Sequence, residues 1–139
     1  MDIIPNCFYR TSVKALILDN QKRFLLVKED NGLRELPGGG LDFGENPQEC
    51  IKRELLEEMG IHIKLVSDVP VYFVTSKNLS DLNISNIIYR VQIDIDDIHK
   101  FKPSQECQEI RFFNIQEAAK EQLFPNVIEF LKQYNPLKH

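Results

Sequence analysis

Residues 39–61 read GGLDFGENPQECIKRELLEEMGI, and this stretch decides how the chain is read. Asn46-Pro47-Gln48-Glu49 is a helix start. Asn46 can cap, Pro47 suits the first helical position, and Glu49 sits where a capping-box carboxylate reaches back. The helix is predicted to run from Pro47 to about Met59, with Gly60 as its stop. At about 100° per residue, Glu54, Glu57 and Glu58 fall within an arc of roughly 100°. Ile51, Leu55 and Met59 form a neighbouring apolar stripe at i, i+4, i+8 that would face a core. Three carboxylates on one turn repel each other, and the intervening Leu55 and Leu56 bring no cation. A hard divalent ion removes that repulsion, because Mg²⁺ takes oxygen ligands and bridges substrate phosphates. The bland alternative for such a cluster, taken alone, is a solvated acidic face.

The spacing is constrained well beyond the acids. Gly39 is followed by five residues and then Glu45; seven more lead to Arg53-Glu54-Leu55, then Glu57-Glu58 and Gly60-Ile61. This pattern resembles the Nudix box, the signature of enzymes that hydrolyse nucleoside diphosphates linked to another moiety. The Leu36-Pro37-Gly38-Gly39 lead-in and the strands on both sides extend the resemblance. It implies that Glu54, Glu57 and Glu58 hold metal, together with the carbonyl of Gly38, the residue just before the first Gly of the box. The implied cofactor is Mg²⁺, with Mn²⁺ as a substitute. Arg53 is adjacent to Glu54 and one turn from Glu57, so its guanidinium can fix a carboxylate's orientation, with Glu45 as a partner behind the metal ligands. A simple surface ion pair is the other reading of Arg53.

One acid should come from outside the box. Many Nudix members carry a Glu shortly before a short strand that ends in Trp or another aromatic. Here that strand is EIRFF (109–113), with Phe112 in place of the Trp. Glu106 is the first candidate for the extra metal ligand or general base, and Glu109 the second; a solvent-exposed loop acid is the alternative for both. The implied mechanism is substitution at phosphorus by water, with Glu57 or Glu106 accepting the proton.

Composition bounds the remaining possibilities. The 139 residues suffice for one compact domain, expected to span 1–139, and 42% hydrophobic with 27% charged residues is ordinary for a soluble chain. No apolar run approaches the roughly 20 residues that span a bilayer, and Met1-Asp2-Ile3-Ile4 shows no signal-peptide pattern. Cys7, Cys50 and Cys107 are an odd count without a CxxC pair, which reads as free thiols in a reducing cytosol. A net charge of −4 argues against a basic face for nucleic-acid polymers. The expectation is a cytoplasmic protein, monomer or homodimer, acting on a nucleotide-derived small molecule.

Periodicity gives the element order. RTSVKALIL (10–18) and RFLLVK (23–28) are strands around a turn at 19–22, and Asn31-Gly32 marks a second turn. After the box helix, 63–66 and 70–75 are β-rich, 78–86 reads as a hairpin tip, and 87–95 as a strand. Residues 96–108 read as loop, 109–113 as a strand, and 115–122 and 126–134 as helices, the second ended by Pro136. This order resembles the Nudix fold: an α/β protein of the α+β type, a mixed β-sheet sandwiched between helices.

Substrate identity is argued by elimination from the resemblance. The NADH-type motif and the coenzyme A-type motif are absent. Ser76 stands where ADP-ribose enzymes tend to place Pro, and Lys77-Asn78-Leu79 where the dinucleoside polyphosphate branch tends to show Tyr. What remains resembles a MutT-type or generic enzyme, cleaving a nucleoside triphosphate, oxidised or not, to the monophosphate and pyrophosphate. A nucleotide sugar as substrate, or a Nudix module that senses nucleotides without turnover, are the alternatives. Asn126 has two readings: its amide can pair with a purine edge, or it caps the last helix with Glu129 in a capping box. Tyr9, Phe43, Tyr72, Phe73 and Tyr89 could stack a base or sit in the core.

Overall fold

The computed structural model describes residue 5 and residues 7–139; the Met1–Ile4 segment, read above as lacking a signal sequence, lies outside them. The strands in chain order are β1 (Arg10–Leu16), β2 (Phe24–Lys28), β3 (Arg34–Glu35), β4 (Gly38–Gly40), β5 (Ile63–Val66), β6 (Tyr72–Lys77), β7 (Asn83–Ile93) and β8 (Glu109–Phe113). The helices are α1 (Pro47–Met59), α2 (Ile115–Ala118) and α3 (Pro125–Gln133), with 3₁₀ turns at Ile95–Lys100 and Pro136–Lys138.

Strand periodicity sorts the apolar residues onto two faces. Val13, Ala15, Ile17, Leu25 and Val27 point one way, into a core shared with Cys50, Ile51, Leu55 and Met59 of α1. Leu16, Phe24 and Leu26 point the other way, against Val127 and Phe130 of α3. β1 is buried on both faces because it lies in mid-sheet, antiparallel to β4 and parallel to β7. β7 is long enough to pair along its other edge with both β6 and β5. A second sheet places β2 between β3 and β8. The result is a mixed sheet with helices on both faces, as expected.

α1 has the predicted boundaries, and the reason is visible at each end. The Asn46 side chain accepts from the Glu49 amide at 2.9 Å, and Glu49 returns to the Asn46 amide at 3.5 Å. At the other end Gly60 turns left-handed (φ 67°), so its N–H reaches the Leu56 carbonyl at 2.9 Å.

Other expectations need correction. The 19–22 turn forms, with Lys22 at φ 61°, but the strands it joins enter different sheets and meet only at the Leu18–Phe24 bridge. The tip after β6 is shorter than expected, because Asn83–Asn86 already pair with β6, and Ile84–Asn86 with β1 as well. The helix predicted at 115–122 stops at Ala118. Pro136 opens a 3₁₀ turn rather than merely ending a helix. The last helix begins at Pro125 with Phe124 as its cap, so Asn126 caps nothing. The capping-box reading of Asn126 is therefore wrong.

Candidate active site

The lead-in glycines form β4, in register with β1 through Val13↔Gly39 and Lys14↔Gly38. At Gly38 only glycine fits. Gly38 has φ +135°, and a Cβ on it would fall 2.1 Å from the Val13 carbonyl oxygen. A Cβ on Gly39 would fall 2.5 Å from the Glu54 carboxylate. Glu54 therefore rests directly on the β4 backbone, which joins the glycine strand to the acid-bearing helix.

One guanidinium organises the acids. Arg53 grips Glu45 with two parallel bonds, Nε to Oε2 at 2.8 Å and Nη2 to Oε1 at 3.0 Å. Its Nη1 donates to Glu54 at 3.0 Å and to Glu57 at 3.3 Å, and Asp42 lies 3.3 Å from Nη2. The Arg53 hydrogen bond holds the Glu45 carboxyl down at about 2. Glu58 points the other way. Burial pushes it up to about 8, the Lys14 charge opposes this, and the adjacent Glu54 carboxyl adds to it.

The three box acids do not converge in this conformation. Among the described residues no group of three or more His, Cys, Asp or Glu is arranged to hold a metal ion. Glu54 and Glu58 adjoin, while Glu57 is more than half exposed and turned onto Arg53. The donor chemistry nonetheless suits a hard divalent cation. Glu58 and Glu54 are adjoining oxygen donors; burial first, and the Glu54 charge after it, favours a proton on Glu58, and a cation would take that proton's place.

Glu106 and Glu58 line the same cavity, about 210 Å³, together with Gly38, Glu29 and Glu35. Glu109 does not share it; its carboxylate is bound to Arg34 at 2.8 Å, which keeps it below the usual range. A larger cavity of about 440 Å³ adjoins, lined among others by Ser12, Ser76, Asn86, Phe124 and Asn126. Glu29 and Glu35 line both cavities. None of Tyr9, Phe43, Tyr72, Phe73 or Tyr89 lines the larger one; Phe124 does. Tyr72 and Tyr89 are core residues. Cys50 and Cys107 are buried thiols pushed up to about 12 by burial, so neither supplies a thiolate.

Sequence reasoning missed the polar network behind the larger cavity. Lys14, almost fully buried in β1, reaches Glu35 at 2.6 Å. Asn126 donates to Glu35 at 3.0 Å and to Asn86 at 3.2 Å. Burial, and then the Glu35 charge, push Glu29 up to about 7. A signal existed: Lys14 is a charge in mid-strand of an otherwise apolar run.

Comparison with known proteins shows the family and the fold. Residues 8–134 match the sequence model of the NUDIX domain. A 72-residue stretch is 33% identical to a MutT-like protein of Streptomyces ambofaciens, covering 51% of this chain and 47% of that one. An overlapping 108-residue stretch is 26% identical to an ADP-ribose pyrophosphatase of Methanocaldococcus jannaschii, covering 75% of this chain and 62% of that one. The matched stretches thus span less than two thirds of either relative. The crystal structure of a MutT protein from Methanosarcina mazei Go1 has the same fold, with a TM-score of 0.74 at 24% identity over 92% of this chain and 93% of that one. With a family match across nearly the whole chain and the box residues gathered around β4 and α1, the protein belongs to the Nudix family of hydrolases.

Proposed function

We propose that the chain hydrolyses a nucleoside triphosphate, oxidised or not, to the monophosphate and pyrophosphate, with Mg²⁺ as cofactor. The observation that carries this reading is the contact of Glu54 with the Gly39 backbone. It puts the acid-bearing helix against a glycine strand that lines a cavity rich in carboxylates through Gly38 and one lined by amides and Phe124 through Gly40. The first suits a phosphate chain with its cations; the second suits a nucleoside.

Glu54, Glu57, Glu58, the Gly38 carbonyl and Glu106 would hold the metal. When bound, Mg²⁺ supplies charge neutralisation at the diphosphate oxygens and acidifies a coordinated water. Arg53 orients Glu54 and Glu57, and Glu45 with Asp42 orients Arg53 in turn. The Glu106 carboxylate receives the proton of the attacking water; it shares a cavity with Glu58, whereas Glu109 is spent on Arg34. In the second cavity Asn126 faces the base.

The test is a hydrolysis screen with and without Mg²⁺ over nucleoside triphosphates, oxidised triphosphates, nucleotide sugars, ADP-ribose and dinucleoside polyphosphates, with product identification. Monophosphate plus pyrophosphate from a triphosphate is the expected result. Turnover of sugar or ribose conjugates alone would move the substrate elsewhere, and binding without any turnover would make the chain a sensor.

A further inference from the structure

We propose that a third cavity, beyond the C-terminal end of β1, binds a phosphate-class oxyanion of two or more negative charges through Arg90, Lys22 and Lys64. The proposed hydrolysis makes no use of it.

This cavity, about 410 Å³, lies between the 19–22 turn and the β5–β7 pair. It shares no lining residue with the two cavities of the candidate active site. Lys14, which pairs with Gly38, is separated from Leu18 at this cavity by roughly 13 Å of extended chain.

The chain has a net charge of −4, yet the charged lining here is Arg90, Lys22 and Lys64 against Asp19. Asp19 is spent. Its Oδ1 accepts from the Gln21 and Arg23 amides, and its Oδ2 from Arg23 Nε at 2.7 Å. The cations are not spent. Among the described residues the side chains of Arg90 and Lys22 have no hydrogen-bond or ion-pair partner, and Lys64 reaches only Asp94, at 4.0 Å. Asn20 and Gln92 add neutral amides, and the rest of the lining is aliphatic.

Both unpaired cations are held in position. Arg90 lies on β7 in register with Leu16 of β1. Its Nε is buried without a partner, whereas its two terminal nitrogens, also unbonded, are not buried. The stem is therefore packed and the fork is free to bond. Lys22 has φ 61°, a left-handed conformation that non-glycine residues rarely adopt. The Tyr134 hydroxyl donates to its carbonyl at 2.6 Å, and its own N–H donates to the Asp19 carbonyl at 3.1 Å. The excess charge is felt nearby. After burial, the charges of Arg90, Lys22 and Lys138 hold the His139 imidazole below its ordinary value.

Unpaired like charges beside aliphatic walls repel one another, and an anion between them removes that cost. A monocarboxylate would leave part of the charge unmatched. Phosphate and diphosphate carry enough, and their oxygens suit both a planar fork and a point ammonium.

Inorganic phosphate, diphosphate, glycerol 3-phosphate and acetate, titrated into EDTA-treated protein at constant ionic strength, test this. Calorimetry reads affinity, and imidazole NMR reads His139. Without metal the box acids repel anions, so the active site does not compete. One diphosphate per chain is expected to bind at least about tenfold more tightly than acetate. Preference for the inorganic ions would assign a free anion, and preference for the ester a phosphorylated metabolite; either supports the site. Arg90→Gln should weaken diphosphate binding about tenfold or more, and Arg90→Lys less, because the charge remains without the fork. Should Arg90 variants not fold, Lys22→Gln combined with Lys64→Gln, both exposed positions, should give the same loss. The bound anion should also raise the His139 titration midpoint by neutralising the charges that depress it. Diphosphate binding no tighter than acetate, affinity unchanged in the folded variants, or a His139 midpoint unmoved by saturating diphosphate would overturn the proposal.

Discussion

At the scale of single residues, Arg53 matters for shape as much as for charge. Its planar fork meets Glu45 with two bonds while a third nitrogen serves Glu54 and Glu57. A lysine ammonium carries the charge but not the fork. Arg53→Lys should lower kcat by about 10²-fold with KM little changed, measured under saturating metal; a change confined to KM would place Arg53 on the substrate instead. The two candidate loop acids separate cleanly. Glu106→Gln should cost kcat at least about 10²-fold. Glu109→Gln should spare activity and cost at most about 1 kcal/mol of stability, because a half-exposed partner of Arg34 is lost; the reverse pattern would exchange the two assignments. Local chemistry was legible at this scale and distant chemistry was not. Asn46, Glu49 and Gly60 announced the helix ends because a cap is written within four residues. Asn126 misled because Asn followed three positions later by Glu also spells a cap. Its real partners, Glu35 and Asn86, lie 91 and 40 residues away in sequence.

Among the elements, α1 is fixed at both ends and along one face, while β4 exists only by virtue of its neighbours. Glycines carry little strand propensity, so no local pattern predicts Gly38–Gly40 as a strand. β1 makes it one, and the Val13 carbonyl beside Gly38, with its positive φ, keeps that position glycine. The same logic explains residues 84–86, turn-like in composition yet paired on both edges in β7. For α1, the sequence supplies its own test. Asn46→Ala removes the side-chain acceptor for the Glu49 amide and should cost about 1 kcal/mol in denaturant titration. Because Asn46 touches none of the candidate metal ligands, kcat at 25 °C should stay near wild type. A loss of activity at unchanged stability would show that the cap also tunes the acids.

For the whole molecule, the two cores on opposite faces of the sheet have different make-ups. The α1 side is mainly aliphatic, whereas the α3 side gathers Phe24, Tyr72, Phe130 and Tyr134, with Phe24 and Phe130 edge-to-face at 5.2 Å. His139 closes that cluster, its Nε2 2.8 Å from the Tyr72 hydroxyl. Burial, then the charges of Arg90, Lys22 and Lys138, hold its pKa below the ordinary 6.5. A depressed pKa means the folded state favours neutral imidazole. The stabilisation is therefore present above pH 6.5 and is lost as pH falls through the lower folded value. Wild-type Tm should drop more steeply from pH 7 to 5 than that of His139→Gln, which cannot titrate; equal slopes would acquit His139. The parallel pairing of β1 with β7 reaches into another domain of behaviour, the order of events on the ribosome. Arg10 waits for Ile84 and Leu16 for Arg90. At about 5–20 residues per second, that gap of 74 residues lasts roughly 4 to 15 seconds. Throughout it the nascent VKALIL segment has neither its long partner strand nor the second half of its covering, so its newborn edge is an open template for wrong pairing.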